Sequence, residues 1–292
     1  MLTIGTFDGV HLGHQKIIGQ LIDKAKRIEG ESVVLSFFPH PRIVLFPEQT
    51  DLKLINSLDE KINLLKSTGV DHVIIHPFTK EFANLTAEEF VKKFLVEILH
   101  VQLLIIGYDH HFGKNREGGL TQLKELGEKY GFAIEEIPRQ NIDDNKISST
   151  HIRKALQSGD IESANRYLGY NFQMDGSVVK GDGRGRLLGF PTANIVVEEQ
   201  YKLIPAEGVY AVRVQTSEGT YDAMLNIGHR PTFQGKNVSI EAHLFDFDDD
   251  LYHQTVSIIF EKRLRNELKF DSVQELQNQL VQDKKNALKA LS

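Results

Sequence analysis

The chain contains no cysteine. That absence excludes a disulfide framework and any zinc site built on thiolates. It suits a reducing compartment, and a cytoplasmic location is the expectation. No apolar run approaches the roughly 20 residues of a membrane-spanning helix, so no membrane partner is expected. The first residues lack the basic segment and long apolar core of a secretory leader, and none is expected. An excess of basic residues is missing too: 34 Lys and Arg stand against 40 Asp and Glu, a formal net charge of −6. Such a chain is not built to wrap nucleic-acid phosphates, and no nucleic-acid partner is expected. No internal repeat or low-complexity tract is present, and the acidic cluster at 246–250 is broken by Phe247 and too short for a tail.

What is present falls into two halves of different patterning. With domains of roughly 100–200 residues, 292 residues make one large or two medium domains. Apolar runs at 2–5, 32–38, 72–76, 101–107 and 132–137 predict strands, and helical spacing at 17–28, 59–68, 86–100 and 121–130 predicts helices between them. Strands this apolar, separated by helices, predict a parallel sheet covered on both faces, with ligands bound beyond the carboxyl ends. From about residue 171, short alternating runs at 173–179, 193–197, 209–216, 221–227, 238–244 and 255–260 predict an antiparallel barrel. Ser272 as N-cap, with Glu275 three residues on, predicts a terminal helix. Two short helices at 150–157 and 161–168, joined at Ser158-Gly159-Asp160, come between the halves. The expected fold is α/β plus all-β: a Rossmann-like parallel-sheet domain over 1–170, then a six-stranded antiparallel barrel with a terminal helix over 171–292.

The stretch TFDGVHLGHQ (6–15) joins a strand end to a helix start. Gly9 and Gly13 permit a sharp turn and close approach of a ligand. Free N–H groups at a helix start favour anions. His11 and His14 share a face if the segment is helical, and can stabilise the charge that builds in phosphoryl-type transfer. A metal pair is the alternative, lacking a third ligand and an HExxH pattern; ordinary polar surface is another. ISSTHIR (147–153) offers the hydroxyls of Ser148, Ser149 and Thr150 and the guanidinium fork of Arg153. Alone, it also reads as a helix cap followed by a solvated Arg. In SFFPHPR (36–42), Phe37 and Phe38 are candidates either to wall a planar ring or to join the core. In the loop 106–119, Asp109 is placed for a ribose or a metal-bound phosphate.

In GDGRGRLLGFPTANI (181–195), Gly181, Gly183 and Gly185 alternate with Asp182, Arg184 and Arg186. No GK[ST] ends the run, and Arg186 breaks GxGxxG. A Gly-rich basic flap over polyphosphate and a mobile β-turn with solvated charges both fit. Pro191 then fixes the backbone, and Thr192 and Asn194 face the same way if the segment is a strand. Two hard oxygen ligands suit Mg²⁺ with ATP phosphates completing the shell.

HLGH (11–14) matches the HxGH signature of the nucleotidyltransferase superfamily, and FPTAN, PAEGVYA, NIGHRPTF and EAHLFDF resemble riboflavin kinase. Over essentially all 292 residues, in order, the chain resembles the bifunctional riboflavin kinase/FAD synthetase family. The resemblance implies FMN adenylyltransferase chemistry in 1–170 and riboflavin kinase chemistry in 171–292, with Mg²⁺, with ATP, riboflavin and FMN as small-molecule substrates, and with FAD as product. It implies that His11, His14 and Arg153 act on ATP phosphates, and that Gly5, Phe7, Gly13, Asp109, Ser148, Ser149 and Thr150 bind nucleotide or flavin beside them. In the second half it implies binding roles for Gly181, Gly183, Arg184, Asn226, Arg265 and Phe270, Mg²⁺ held by Thr192 and Asn194, and Glu241 as the base. Without it, Glu241 reads as a surface residue on a strand whose Ile240 and Ala242 pack inward. A single active half, or a non-catalytic flavin or nucleotide sensor, would carry the same motifs. Two departures stand out. The chain starts inside the family's first strand, so the edge of that strand is expected to be weakened, and HHF at 110–112 replaces a pattern with an aromatic directly after the acid or amide. A homo-oligomer is left open.

Overall fold

A computed structural model describes residues 1–48, 52–107, 113, 118–137, 141–142, 145–181, 183–232 and 235–292, the side chains of 141, 142, 145, 146, 184, 230–232 and 235–237 apart. Packing divides them into two units, 1–52 with 58–148, and 53–57 with 149–292.

The first unit is built on the buried strand β1 (Leu2–Ile4). Helix α1 (Leu12–Arg27) follows, burying Ile18, Leu21, Ile22 and Ala25 at helical spacing and carrying Lys24, Lys26 and Arg27 in its last turn, where cations complement the dipole. Next come β2 (Val33–Phe38), α2 (Pro41–Leu45), α3 (Leu58–Ser67), β3 (His72–Pro77) and α4 (Lys80–Ala83). Helix α5 (Ala87–Phe90) opens with a Thr86–Glu89 capping box and passes into a π-helical stretch, Val91–Ile98, within the helical span expected over 86–100. The unit closes with β4 (Leu103–Gly107), α6 (Leu120–Tyr130), β5 (Ala133–Ile137) and a short ribbon, β6 (Asn141–Ile142) and β7 (Asn145–Lys146), which no sequence pattern announces.

The sheet order is β3-β2-β1-β4-β5, and every pair is parallel. β1 is therefore central. Leu2 stands opposite both Val33 and Leu104, and the Val33 amide donates to the Met1 carbonyl at 2.9 Å. The expected weak edge is not an edge: β1 is laddered on both sides. The strand order reverses between β1 and β4, and in such sheets ligands bind beyond the carboxyl ends of the strands at that point.

The second unit begins with α7 (Ser149–Ser158) and α8 (Ile161–Leu168). Their Ile152, Leu156, Ile161, Ala164 and Leu168 share one core with Phe172, Tyr210 and Phe260 of the barrel. The packing division thus falls between 148 and 149, ahead of the 170 expected from the sequence, because the apolar faces of both helices are covered by the barrel. The segment 53–57 joins them through Lys202, whose buried ammonium donates to the carbonyls of Ile55 and Gln173, each at 2.7 Å. The barrel is formed by β8 (Gln173–Val179), then, after the one-turn helix α9 (Arg184–Leu187), by β9 (Ala193–Val196), β10 (Gly208–Gln215), β11 (Thr220–Thr232), β12 (Gly235–Leu244) and β13 (Thr255–Arg265). Its closed order is β10-β11-β12-β9-β8-β13, every pair antiparallel, which removes free strand edges. The terminal helix α10 (Val273–Leu291) starts as expected, with Ser272 Oγ accepting from the Glu275 amide at 3.2 Å.

Candidate active sites

Where the chain leaves β1, three residues are left-handed: Phe7 (φ 48°), Gly9 (φ 88°) and Val10 (φ 34°). For a β-branched residue such as Val10 this costs on the order of 1–3 kcal/mol. The surroundings hold it there. Phe7 and Val10 are buried in one cluster with Ile18 and Leu21. The Val10 amide donates to the Phe7 carbonyl at 3.1 Å, and Gln15 Nε2 donates to the Val10 carbonyl at 2.8 Å.

This turn delivers His11 as the N-cap of α1, its Nδ1 accepting from the His14 amide at 3.4 Å. The two imidazoles stack, centroids 3.7 Å apart and planes 14° apart, and Phe7 meets His14 edge-on at 5.1 Å. Gly13 makes this possible, since a Cβ there would stand 3.2 Å from the His11 ring. At Gly5 a Cβ would press equally close on the Phe7 ring, at 3.2 Å. Burial, reinforced by His11, pushes the His14 pKa well below the ordinary histidine value, so the ring is neutral at pH 7. Its Nδ1 is buried without a hydrogen-bond partner among the described residues. Ring lone pairs lie in the ring planes, and two nearly parallel planes converge poorly on one ion, which disfavours the metal-pair alternative. Phe37 packs against Phe78 and Phe82, at 5.7 and 5.6 Å, and so belongs in part to the core. Ser148 closes the first unit, whereas Ser149, Thr150 and Arg153 lie on α7 of the second. Asp109 and the HHF stretch lie outside the described residues.

In the barrel, strand register assembles a row. Asn194 of β9 stands opposite Glu241 of β12, and Glu241 opposite Asn226 of β11. Ile240 and Ala242 point into the core, so Glu241 faces the other way, as the alternation predicted. Pairing of β9 with β12 stops at Ala193, because Pro191 has no N–H to extend the ladder. His243 takes over there: its Nδ1 donates to the Pro191 carbonyl at 2.7 Å. Burial, with Lys284 nearby, pushes the His243 pKa down against the effect of that bond, so the ring is neutral with its proton on Nδ1. Thr192, released from the ladder, directs its hydroxyl to Glu241 Oε2 at 3.3 Å. Gly181 leaves room for the row, since a Cβ there would lie 2.1 Å from the Asn194 amide nitrogen. Gly183, at φ 70°, is the N-cap of α9, so the stretch from Gly183 onward enters a helical turn; Asp182 and the Arg184 side chain lie outside what the structure describes.

Arg265 ends β13 and is gripped by Asp283 of α10, with Nε 2.9 Å from Oδ1 and Nη2 2.6 Å from Oδ2. Its Nη1 donates to the Asn266 carbonyl at 2.9 Å, and its guanidinium lies 5.9 Å from the Phe270 ring centroid. Asn226 Nδ2 donates to Glu267 Oε1 at 3.1 Å in the same segment. Arg265 therefore anchors the segment that carries Glu267 and Phe270 to the terminal helix. Replacing Asp283 with Ala leaves the guanidinium unpaired and is expected to destabilise the second unit by about 3 kcal/mol, read as a lower urea midpoint. An unchanged midpoint would contradict this anchoring.

Three residues escape a sequence reading of the sites. His243 stands inside EAHLFDF, two residues from Glu241. Asp283 is spaced with Ala287 and Leu291 on the buried face of α10, and an acid on an apolar stripe is the available signal. Lys61 is likewise spaced with Leu65 on the buried face of α3.

Comparison with known proteins covers both units. The FAD synthetase family matches residues 1–151 and the riboflavin kinase family residues 168–291. The bifunctional riboflavin kinase/FMN adenylyltransferase of Bacillus subtilis is 39% identical over 301 residues, covering 100% of this chain and 92% of the relative. That of Escherichia coli K12 is 38% identical, covering 98% and 91%. A crystal structure from Streptococcus pneumoniae, described as a macrolide-efflux protein, shares the fold at a TM-score of 0.90, with 34% identity over 97% of this chain and 92% of that one. Among the described residues of this chain, no helix is long and apolar enough to cross a membrane. With both families matched in order and relatives aligned over nearly all of this chain, the chain belongs to the bifunctional riboflavin kinase/FMN adenylyltransferase family.

Proposed function

We infer that the chain phosphorylates riboflavin to FMN and then adenylylates FMN to FAD, consuming ATP in each step. Phosphorylation is assigned to residues 171–292 and adenylylation to 1–170, following the motifs rather than the packing division. The compartment that fits is the cytoplasm.

The observation that carries the kinase assignment is the barrel row that sets Thr192, Asn194 and Asn226 about Glu241. A primary alcohol is a poor nucleophile. The Glu241 carboxylate orients the riboflavin 5′-hydroxyl and takes its proton as the oxygen bonds to the γ-phosphorus of ATP, while the bond to the β-phosphate oxygen breaks and ADP leaves. The Thr192 hydroxyl, donating to Glu241 Oε2, holds the carboxylate in place. Thr192 and Asn194 supply hard oxygens on one face and fit Mg²⁺, with Gly181 leaving the room they need. Bound there, Mg²⁺ neutralises nucleotide phosphate charge. Arg265 and Phe270 belong to the flavin-covering segment, and Gly183 and Arg184 to the flap over the nucleotide.

In the first unit the nucleophile is an FMN phosphate oxygen, already ionised, so no base is needed. It bonds to the α-phosphorus of the second ATP as pyrophosphate leaves. His11 and His14 donate to the phosphates from the strained turn, and positioning with charge neutralisation does the rest. The part given to Ser148, Ser149, Thr150 and Arg153 rests on the ISSTHIR motif.

Calorimetric titration of the intact chain with Mg-ATP tests the metal assignment. Thr192→Ala combined with Asn194→Ala is expected to weaken one class of sites about 10-fold, or ~1.4 kcal/mol. An unchanged isotherm would remove these two residues from metal and nucleotide binding.

A further inference from the structure

The first unit buries an ammonium group that the mechanism has not used. Lys61 projects from α3 to the carboxyl ends of β1 and β2. Its Nζ donates to the Phe37 carbonyl at 3.0 Å and to the Thr6 carbonyl at 3.4 Å. The Thr6 carbonyl also accepts from Ser36 Oγ at 3.2 Å. Thr6 opens the strained turn that ends at His11, and Phe37 lies at the end of β2, so one ammonium ties together the chain segments at the carboxyl ends of the adjacent strands β1 and β2. The charge acting on it across the β1–α1 turn is the buried carboxylate of Asp8, the residue between the left-handed Phe7 and Gly9; β2 offers the Phe37 carbonyl and the Ser36 hydroxyl, and the buried Glu60 adjoins it on α3. An apolar residue would fill this space without the desolvation that an ammonium incurs.

We propose that Lys61 is a positioning residue for FMN adenylylation, its ammonium fixing the turn that aims His11 and His14. The proposal rests on the reading of the two histidines as the adenylylation site. Burial pushes the Lys61 pKa down to about 8, against the attraction of Asp8. The tie is therefore complete at pH 7 and lost as pH rises through about 8 to 9.

The test uses the full chain, assaying FAD formation from supplied FMN and ATP across pH 6.5–10, a range chosen at roughly two units about the shifted value. Riboflavin phosphorylation, which occurs in the other unit, is measured in the same samples as the folding control. Lys61→Met is expected to lower kcat for FAD formation at least ~10-fold at pH 7 with phosphorylation unchanged, since small misplacements of reacting groups cost up to about 10²-fold. Lys61→Arg keeps a cation that does not titrate in this range, and is expected to move the alkaline fall in FAD formation upward by a pH unit or more. A Lys61→Met enzyme with wild-type FAD formation, or an alkaline fall that is the same in wild type and Lys61→Arg, would overturn the proposal. The Arg variant decides the matter if the Met variant does not fold. His14→Ala separates the two levels: if it spares FAD formation, the histidine reading fails; if it abolishes FAD formation while Lys61→Met does not, only the role of Lys61 falls.

Discussion

Glu241→Gln is expected to lower FMN formation by about 10²–10⁴-fold, the usual loss when a positioned base is removed, while FAD formation from supplied FMN stays at the wild-type rate. The substitution is nearly isosteric. β12 keeps its backbone ladder to β9 and β11 because those bonds do not involve the side chain. An amide oxygen can still accept from Thr192, so the row of Thr192, Asn194, Glu241 and Asn226 keeps its shape. What disappears is the capacity to take the hydroxyl proton. The loss should therefore appear in kcat, with little change in the apparent affinity for riboflavin. Chromatography of products from riboflavin and from FMN, run in parallel, gives both numbers. Equal loss from both substrates would mean that Glu241 supports the whole protein rather than one reaction.

His14→Ala is expected to do the reverse, lowering FAD formation by about 10²–10³-fold and leaving phosphorylation of riboflavin intact. The cap of α1 survives, because His11 accepts from the backbone amide of residue 14 and not from its side chain. What is lost is the neutral imidazole whose Nδ1 is buried without a partner among the described residues, together with the stacking that orients His11. An alanine variant with wild-type FAD output would remove the histidine pair from the chemistry.

Much of this architecture is legible in the residues because it is local. The apolar runs of the parallel strands, the alternation of Ile240, Glu241 and Ala242, and the Ser272–Glu275 cap of α10 each depend on a few neighbours and one periodicity. Long-range features are not legible in the same way. Ile152, Leu156, Ile161, Ala164 and Leu168 mark amphipathic helices, but their spacing does not say that a barrel covers them. The Arg265–Asp283 pair joins residues 18 apart in sequence through the packing of α10. Val10 is held left-handed against its own preference by burial and by Gln15, so local propensity points away from the conformation adopted. At the sites, glycines and histidines were visible as residue types. Their partners, His243 on Pro191 and Lys61 on Thr6 and Phe37, come from strand register and helix packing.

The central proposal is that Glu241 serves only the phosphorylation and His14 only the adenylylation, so that FMN made by one protein molecule can be used by another. Mixing the Glu241→Gln and His14→Ala proteins in one tube with riboflavin and Mg-ATP tests it most directly. The expected result is flavin product reduced about 10²–10⁴-fold from the first alone, FMN with FAD reduced about 10²–10³-fold from the second, and FAD at a far higher rate from the mixture than from either. A mixture that yields no FAD, from proteins that each retain the other activity, would contradict it.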